Sequence, residues 1–462
     1  MIAVLSCSLI SGCMQTRQIV KRPLGNDGEL FIYSEPFSQE SRRLQFSMES
    51  ISAVREDGLV VPLTREMSDF SFDNLQRQRL VAHGPLPSGI YTVIAVKVKK
   101  AVLNSEDGKG QLLVPEKPYE NKAVFEVKGG KATVVNMELN YHEAVSNQVL
   151  LNPVFTFRLA APPLLELTGY VTNHGANTIT VFDRRSARIG AIIETGRGPA
   201  GIIIDQLRML AYVALSGEDV VGILDMKEND FIERIRLSPG DEPRFLAITP
   251  DARLAVSANA RSNTASIIDL QSRFEIARVP VGNGPEYVLM DRTGRRAYVF
   301  SRLANSISII DMTTRTVTGT LSTESGPVYG QLSIRGDRLY VYHDMSPNIL
   351  VITLDGQTMT KRIPAGMGVS SLKVNPLNDL IYVGNNFGGV IDIYDPFTLT
   401  GMDFLKAEGG INYMTIDGEE NNLLVLHPRN SQLRFINLIS KKERGLLDTG
   451  ADPYCAVIVN ER

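Results

Sequence analysis

The sequence predicts an all-β protein, a seven-bladed β-propeller preceded by an N-terminal antiparallel β-sandwich domain. A unit of 42 or 43 residues recurs seven times in residues 168–462, and each unit has the pattern of four short strands. Residues 28–160 also read as strands separated by turns, but without that period. The chain of 462 residues is 43% hydrophobic and 21% charged, which is typical of a folded protein. Its net charge of −3 provides no basic field, so nucleic acid is not an expected partner.

The first residues of the chain have the pattern of an export signal. Residues 1–12 are small or apolar and carry no charged side chain, and Ile-Ser-Gly at positions 10–12 stands directly before Cys13. This arrangement resembles the lipobox of bacterial lipoproteins, in which the cysteine is acylated and becomes the new N-terminus. The resemblance implies a lipoprotein signal peptide at residues 1–12, a lipid anchor at Cys13 that holds the protein to a membrane of the cell envelope, and a tether at 13–27. The other interpretation is an apolar tail in which Cys13 is incidental.

Residues 28–160 are expected to form the sandwich domain. Turn sequences such as Glu56-Asp57-Gly58 and Gly129-Gly130 separate segments in which apolar residues alternate with polar ones. Alternation with a period of two is typical of strands that bury one face against a core. The segments expected as strands are 44–54, 58–63, 89–98, 111–114, 123–127 and 132–139.

Three short sequences in this domain carry a family resemblance. They are Leu-Pro-Ser-Gly-Ile-Tyr-Thr at 86–92, Leu-Val-Pro at 113–115 and Leu-Asn-Pro-Val at 151–154. Together they resemble an uncharacterised family of lipoprotein-borne β-sandwich domains with a prealbumin-like fold, and this resemblance implies no known chemistry. An unrelated Greek-key sandwich is the alternative. The Ala-Pro-Pro sequence at 161–163 lies in the expected linker, 161–167.

The repeats of residues 168–462 predict the blades. They align on the following residues, each followed by another apolar residue: Tyr170, Tyr212, Ala255, Tyr298, Tyr340, Tyr382 and Leu424. Thirteen or fourteen positions further on stands a residue that in most repeats is a turn-forming Asp or Asn: Asp183, Asp225, Asp269, Asp311, Thr353, Asp395 and Asn437. Four short strands in about 42 residues indicate a propeller blade, because the repeats of a helical solenoid would show a 3.6-residue period.

The end of the chain is predicted to close the ring. The first repeat lacks a preceding inner strand of the Pro-led type found in the others, and residues 453–459 form a spare copy of that strand. Pairing of this copy with the first repeat would remove the two open sheet edges. Cys455 is then expected inside a buried strand, as a small apolar residue.

The first repeat also carries a resemblance to a known family. Tyr-Val-Thr-Asn at 170–173, followed by Asn-Thr-Ile-Thr-Val-Phe-Asp at 177–183, resembles the YVTN-type repeat of seven-bladed propellers from bacterial surfaces and periplasms. The resemblance implies a location in the cell envelope, facing the periplasm or the cell surface. It implies no single activity, because propellers host many functions.

A binding site is expected where the loops of a propeller gather around the channel mouth. Candidate residues in the segments that lead into the inner strands are Arg197, Arg244, Glu286, Tyr329, Asn412 and Tyr454. Candidates in the loops after the second strands are His174, His343 and His427. Such a ring can bind a polar or anionic ligand, although turn-forming and solvated surface roles would also account for many of these residue types.

Two functions remain open on this basis. The first is a binding or scaffold protein that uses the loop face for a protein, a glycan or a small polar ligand. The second is a hydrolase similar to propeller lactonases, with a polar site at the channel mouth. The sequence has no Ser-His-Asp, phosphate-loop or zinc-protease motif, so we assign no catalytic residue and no metal ligand. No cofactor is expected either, because a CxxCH haem motif and tryptophan are both absent.

Overall fold

The computed structural model describes residues 25–105, 108–354, 358–408 and 410–461. The predicted signal peptide, Cys13 and residues 14–24 of the tether lie outside the described residues. Seven four-stranded antiparallel sheets follow an N-terminal pair of larger sheets. The predicted fold class is therefore confirmed.

Each propeller blade contains four antiparallel strands, ordered from the inner strand at the channel to the outer strand. In this order the strands are Pro453–Ile458, Thr168–Asn173, Thr178–Asp183 and Arg188–Glu194 in blade 1; Pro199–Asp205, Leu210–Leu215, Val220–Asp225 and Asp230–Arg236 in blade 2; Pro243–Ile248, Leu254–Asn259, Thr264–Asp269 and Phe274–Pro280 in blade 3; Pro285–Met290, Arg296–Ser301, Ser306–Asp311 and Thr316–Ser322 in blade 4; Pro327–Leu332, Arg338–His343, Asn348–Thr353 and Thr358–Pro364 in blade 5; Val369–Val374, Ile381–Asn385, Val390–Tyr394 and Gly401–Lys406 in blade 6; and Tyr413–Asp417, Asn422–His427, Gln432–Asn437 and Glu443–Asp448 in blade 7.

Aspartates form the turns between the third and outer strands. In blade 4 the Asp311 carboxylate accepts the backbone N–H groups of Thr313 and Thr314, both at 2.8 Å, and Arg315 then adopts a left-handed conformation with φ of 58°. A side chain that bonds the backbone two residues on stabilises a tight reversal of the chain. The same bonds are made by Asp183, Asp225, Asp269 and Asp395.

The C-terminal strand closes the propeller. Pro453–Ile458 pairs with Thr168–Asn173, and it also packs against the inner strands of blades 2 and 7. Cys455 is fully buried there, and its backbone N–H donates to the Thr172 hydroxyl at 3.2 Å. Blade 1 is thus built from both ends of the repeat region.

Aromatic side chains fill the centre of the channel. The ring centroids of Phe245 and Tyr287 are 4.4 Å apart, those of Tyr287 and Tyr329 are 4.2 Å apart, and those of Tyr329 and Tyr413 are 6.1 Å apart. Lys373, also on an inner strand, is buried and pairs with the Glu461 carboxylate. A ligand on the loop face would therefore rest on an aromatic floor instead of entering an open tunnel.

The N-terminal domain is a sandwich of two sheets with a shared apolar core. In spatial order, one sheet contains Phe155–Leu159, Ala132–Leu139, Gly28–Ser34, Arg79–Leu86 and Thr64–Arg65. The other contains Val60–Pro62, Leu44–Arg55, Gly89–Ser105 and Gly108–Leu112, with Asp69–Ser71 and Tyr119–Val127 paired to its two long strands. Short elements are Gln39–Arg43, Tyr141–Ala144, Val145–Ser146, Leu150–Leu151, Leu165–Leu167 and Pro428–Asn430.

One strand pair departs from the antiparallel arrangement expected of the sandwich. Gly28–Ser34 runs parallel to Ala132–Leu139 and antiparallel to Arg79–Leu86. Every residue of Gly28–Ser34 is buried, because its second face is covered by the propeller. A strand buried on both faces loses the apolar–polar alternation from which the other strands were expected.

The sandwich packs against the outer strands of blades 1 and 7. Phe31 and Tyr33 join Ile189 and Ile192 in one buried apolar cluster. At the rim of this cluster, Asp448 accepts hydrogen bonds from Arg77 at 2.7 Å and from Arg79 at 2.8 Å. The two domains therefore share a core as well as a linker.

Candidate functional site

The loop face of the propeller is one end of the ring, where two kinds of connection meet. Strands alternate in direction within a blade, so the loop after each second strand lies at the same end as the segment leading into the next inner strand. In blade 2 these are residues 216–219 and 237–242. Two neighbouring cavities are lined by residues of this face.

The first cavity, at the channel mouth, has a volume of about 180 Å³. Four predicted residues line it: Glu286, Tyr329, Asn412 and Tyr454. Tyr287, Tyr342, Tyr413 and Phe245 supply further aromatic surface. These four were not selected from the sequence, because Phe245, Tyr287 and Tyr413 on inner strands and Tyr342 on a second strand have the same pattern as ordinary core residues.

Glu286 is the acidic group of the channel mouth. Burial raises the pKa of its carboxyl above the usual range, and the guanidinium groups of Arg244 and Arg302 partly counter this. Arg244 Nε is 4.0 Å from Glu286 Oε2. A carboxylate in this setting holds a proton to higher pH than a solvated one.

The second cavity has a volume of about 370 Å³ and lies over the loops of blades 1 to 3. It contains the predicted residues His174 and Arg197, and it adds Arg261, which was not among the candidates selected from the sequence. Both arginines are exposed, and within the described part of the chain neither guanidinium forms an ion pair. Two unneutralised cations beside one cavity attract an anion.

The carboxylates of this second cavity are already engaged. Asp219 accepts the backbone N–H groups of Gly240 at 2.7 Å and of Glu242 at 2.8 Å. Glu242 in turn pairs with the guanidinium of Arg244. The predicted residue Arg244 lines neither cavity, but it pairs with Glu242 of the second and lies 4.0 Å from Glu286 of the first.

His174 has two close polar neighbours. Its Nε2 is 3.3 Å from the Ser216 hydroxyl oxygen, and its Nδ1 is 3.4 Å from Asp452 Oδ2. His174 and Ser216 both line the second cavity. No local motif marks this group, because the first two residues are one blade repeat apart and the third comes from the far end of the chain.

The structure corrects the placement of the other two candidate histidines. His343 and His427 are buried, and neither lines either cavity. Each is the last residue of its second strand, in the position that Asn173 has in blade 1, whereas His174 is one residue further on. A shift of one residue along a strand turns the side chain to the opposite face.

Burial lowers the pKa of both of these histidines. It lowers the pKa of His343 to about 4. Burial, with a smaller effect of the Arg434 charge, lowers the pKa of His427 to about 4. Both imidazoles are therefore neutral at physiological pH and belong to the core.

No group of three or more His, Cys, Asp or Glu residues suited to a metal ion occurs in the portion of the chain that the structure describes. The same portion includes no helix that is both apolar and long enough to cross a bilayer.

Comparison with known proteins supports the propeller fold. A family model described as a YNCE-like beta-propeller matches residues 166–330. A solved structure of Kuenenia stuttgartiensis hydrazine synthase is similar at a TM-score of 0.52 and 15% identity, covering 63% of this chain and 95% of that chain. A functionally unknown protein from Desulfotomaculum acetoxidans is similar at a TM-score of 0.55 and 13% identity, covering 62% and 97%. No curated protein matches. At these identities the similarity shows the fold alone, and the chain is identified as a β-propeller protein.

Proposed function

We propose that this protein is an exported, lipid-anchored binding protein whose loop face captures a small anionic ligand. The observation that carries the proposal is the pair of guanidinium groups, Arg197 and Arg261, that line one cavity without an ion-pair partner among the described residues. Guanidinium groups bind carboxylates and phosphates through paired, charge-assisted hydrogen bonds. The proposed ligand therefore carries a carboxylate or a phosphate.

The channel mouth suggests the rest of the ligand. Tyr329, Tyr342 and Tyr454 offer flat apolar surface with polar edges, beside the Glu286 carboxyl. Such a surface suits a ring that has few charges, such as a sugar or an aromatic group. Arg244 contacts Glu242 of the second cavity and Glu286 of the channel mouth, so the two cavities are neighbours on the loop face.

Calorimetric titration with a panel of small carboxylates and sugar phosphates tests the proposal. We expect Arg197→Gln and Arg261→Gln each to weaken binding by about 10- to 100-fold, because a charge-assisted hydrogen bond contributes about 1.5–3 kcal/mol. Arg253→Gln is the control, since Arg253 is also exposed but lies in a turn at the opposite end of its blade. Binding that is unaffected by the first two variants, or no binding across the panel, would contradict the proposal.

The lipid anchor is tested separately. We expect the protein to take up radiolabelled palmitate in a bacterial host and to partition into the detergent phase of Triton X-114. Cys13→Ala should abolish both properties, whereas the matched variant Cys7→Ala should keep them. Loss of acylation in Cys7→Ala with retention in Cys13→Ala would move the anchor away from the proposed cysteine.

A hydrolase remains the second candidate. The observation that favours it is the arrangement of Ser216, His174 and Asp452, which brings a hydroxyl, an imidazole and a carboxylate together at the second cavity. The sequence had led us to expect the polar site of a hydrolase at the channel mouth instead.

A further inference from the structure

We propose that Ser216, His174 and Asp452 form a nucleophile, base and positioning acid that hydrolyse a carboxylic ester or lactone bearing a negative charge. This rests on the proposed function, because the anion-binding arginines of the same cavity would hold the substrate. It adds a reaction to a site that otherwise only binds.

The order of the three groups is that of a nucleophilic hydrolase. Ser216 Oγ is 3.3 Å from His174 Nε2, and Asp452 Oδ2 is 3.4 Å from Nδ1. A carboxylate next to Nδ1 favours the tautomer with the proton on that nitrogen, which leaves Nε2 free to accept the serine proton. Distances somewhat above 3.2 Å are common in such groups before substrate binds.

The backbone holds these residues in register. The His174 N–H donates to the Asp452 carbonyl at 2.9 Å, so the loop with the base is fixed to the loop with the acid. The Ser216 hydroxyl donates to the Gly198 carbonyl at 2.8 Å, which gives its proton a second acceptor besides Nε2. Transfer to His174 therefore requires only a rotation of the hydroxyl hydrogen.

Gly198 fits tightly beside the proposed pair. Its φ is +64°, and a Cβ at this position would lie 2.7 Å from Ser216 Oγ and 3.1 Å from His174 Nε2. Any larger residue would separate the hydroxyl from the imidazole or displace both. The close approach is available only to glycine.

The second cavity gives a substrate access to His174 and places two positive charges beside it. The side chain of His174 is 21% exposed, and Arg197 and Arg261 line the same cavity of about 370 Å³. The guanidinium groups of these two arginines would hold the carboxylate of the substrate beside the proposed nucleophile.

The reaction balances with water as the only co-reactant. Ser216 Oγ attacks the carbonyl carbon while its proton passes to His174 Nε2, and the tetrahedral intermediate collapses with cleavage of the ester C–O bond. The leaving alcohol takes the proton from Nε2. Water then attacks the acyl-serine with His174 as base, which releases the acid and restores the serine.

Covalent labelling of the purified protein is the first test. A fluorophosphonate probe, which loses fluoride as it phosphonylates an activated serine, should label Ser216, as located by peptide mass spectrometry. His174→Ala should abolish labelling, whereas His142→Ala, at an exposed histidine of the sandwich, should leave it unchanged. Absence of label at Ser216 in the correctly folded protein would overturn the proposal, and this readout does not depend on a serine variant that folds.

Hydrolysis of mono-4-nitrophenyl succinate is the second test, with neutral 4-nitrophenyl propionate for comparison. We expect faster turnover of the anionic ester and a loss of about 10²- to 10⁴-fold in kcat in Ser216→Ala and His174→Ala. The control Ser325→Ala changes an exposed serine of another loop on the same face. Turnover that survives in Ser216→Ala would assign the activity to another group and overturn the proposal.

Asp452 is tested as a positioning residue. Its φ of 50° suits asparagine as well, so Asp452→Asn keeps the loop. We expect it to lower kcat with KM unchanged, and Asp452→Glu to restore part of the rate. An unchanged kcat in Asp452→Asn would remove this residue from the proposed group.

Failure of catalysis and failure of binding are separable. Succinate titrated into Ser216→Ala reports the anion site alone, because this variant keeps Arg197 and Arg261. Succinate binding without labelling at Ser216 would overturn only the catalytic proposal, and absence of succinate binding would contradict the anion site on which it rests.

Discussion

At the scale of single residues, one position along a strand decides whether a histidine faces a cavity or the core. His174 comes one residue after the end of the second strand of blade 1 and lines a cavity. His343 and His427 are the last residues of the second strands of blades 5 and 7, and both are buried. The sequence shows all three near the same repeat position, but it does not show where each strand ends. Candidates such as His174 and Arg197 could therefore be selected from the sequence, whereas the face to which each histidine points depended on a register that only the folded strands define. Ser216 and Asp452 were not selected, because no local motif links them to His174.

The two buried histidines predict how stability depends on pH. Their pKa values fall to about 4 in the folded protein, so the unfolded chain binds more protons between about pH 6.5 and pH 4. Stability should therefore decrease as the pH falls through this range, by on the order of 3 kcal/mol per histidine. Urea unfolding at pH 7.5, 5.5 and 4.5 measures this decrease.

The variant His343→Asn supplies the control, because asparagine stands at the equivalent position in blades 1, 3 and 6. We expect its stability to fall less steeply with decreasing pH than that of the wild type. An equal slope in both proteins would show that His343 does not titrate between the folded and unfolded states.

At the scale of elements, the blade repeat made the propeller predictable. Its period, its turn-forming aspartates and the spare strand at the chain end correspond to the four-stranded sheets and to the closure of blade 1. The sandwich was less predictable. Gly28–Ser34 was not expected as a strand, because burial on both faces removes the alternation that marks a half-buried one. Tyr329 and Tyr454 at the channel mouth were selected, but four further aromatics were missed for a related reason, since their positions in the strands resemble core positions: Phe245, Tyr287, Tyr342 and Tyr413.

The closing strand predicts the effect of truncation. A chain that ends after Asp452 would leave Thr168–Asn173 as an open edge and expose the surface that Cys455 and Ile458 bury. We expect this chain to aggregate, because unpaired sheet edges associate. Size-exclusion chromatography and thermal unfolding report the outcome.

A chain that ends after Val459 is the matched control. It keeps the closing strand but removes Glu461, the partner of the buried Lys373 ammonium. We expect it to stay folded and to elute as the full chain does, with a loss of about 3–5 kcal/mol from the unpaired charge. A soluble, cooperative chain ending after Asp452 would mean that closure by the C-terminal strand is dispensable.

At the scale of the whole molecule, the sandwich and the propeller share buried surface. The side chain of Asp448 is 15% exposed and lies between Arg77 and Arg79. Burial raises the pKa of this carboxyl, but the two guanidinium groups more than offset that effect, so that the net pKa is lowered. The pairing therefore stabilises the fold at neutral pH and loses its effect as the carboxyl is protonated in acid.

Calorimetry can test this interface. We expect the two domains of the wild type to unfold in one transition and Asp448→Asn to lower stability by about 2 kcal/mol, because two guanidinium groups lose their common partner. Asp230→Asn is the control, since Asp230 pairs with Lys131 across the same interface but is 48% exposed. Equal effects of the two variants would contradict the importance assigned to burial.

Both the proposed binding and the proposed hydrolysis require an anion site on the loop face. The most direct measurement is the anomalous difference density of crystals soaked in selenate, a probe anion, over a series of concentrations. We predict a peak between Arg197 and Arg261 that saturates with concentration and is absent in the Arg197→Gln, Arg261→Gln double variant. A map without this peak, or with one that persists in the double variant, would contradict the account.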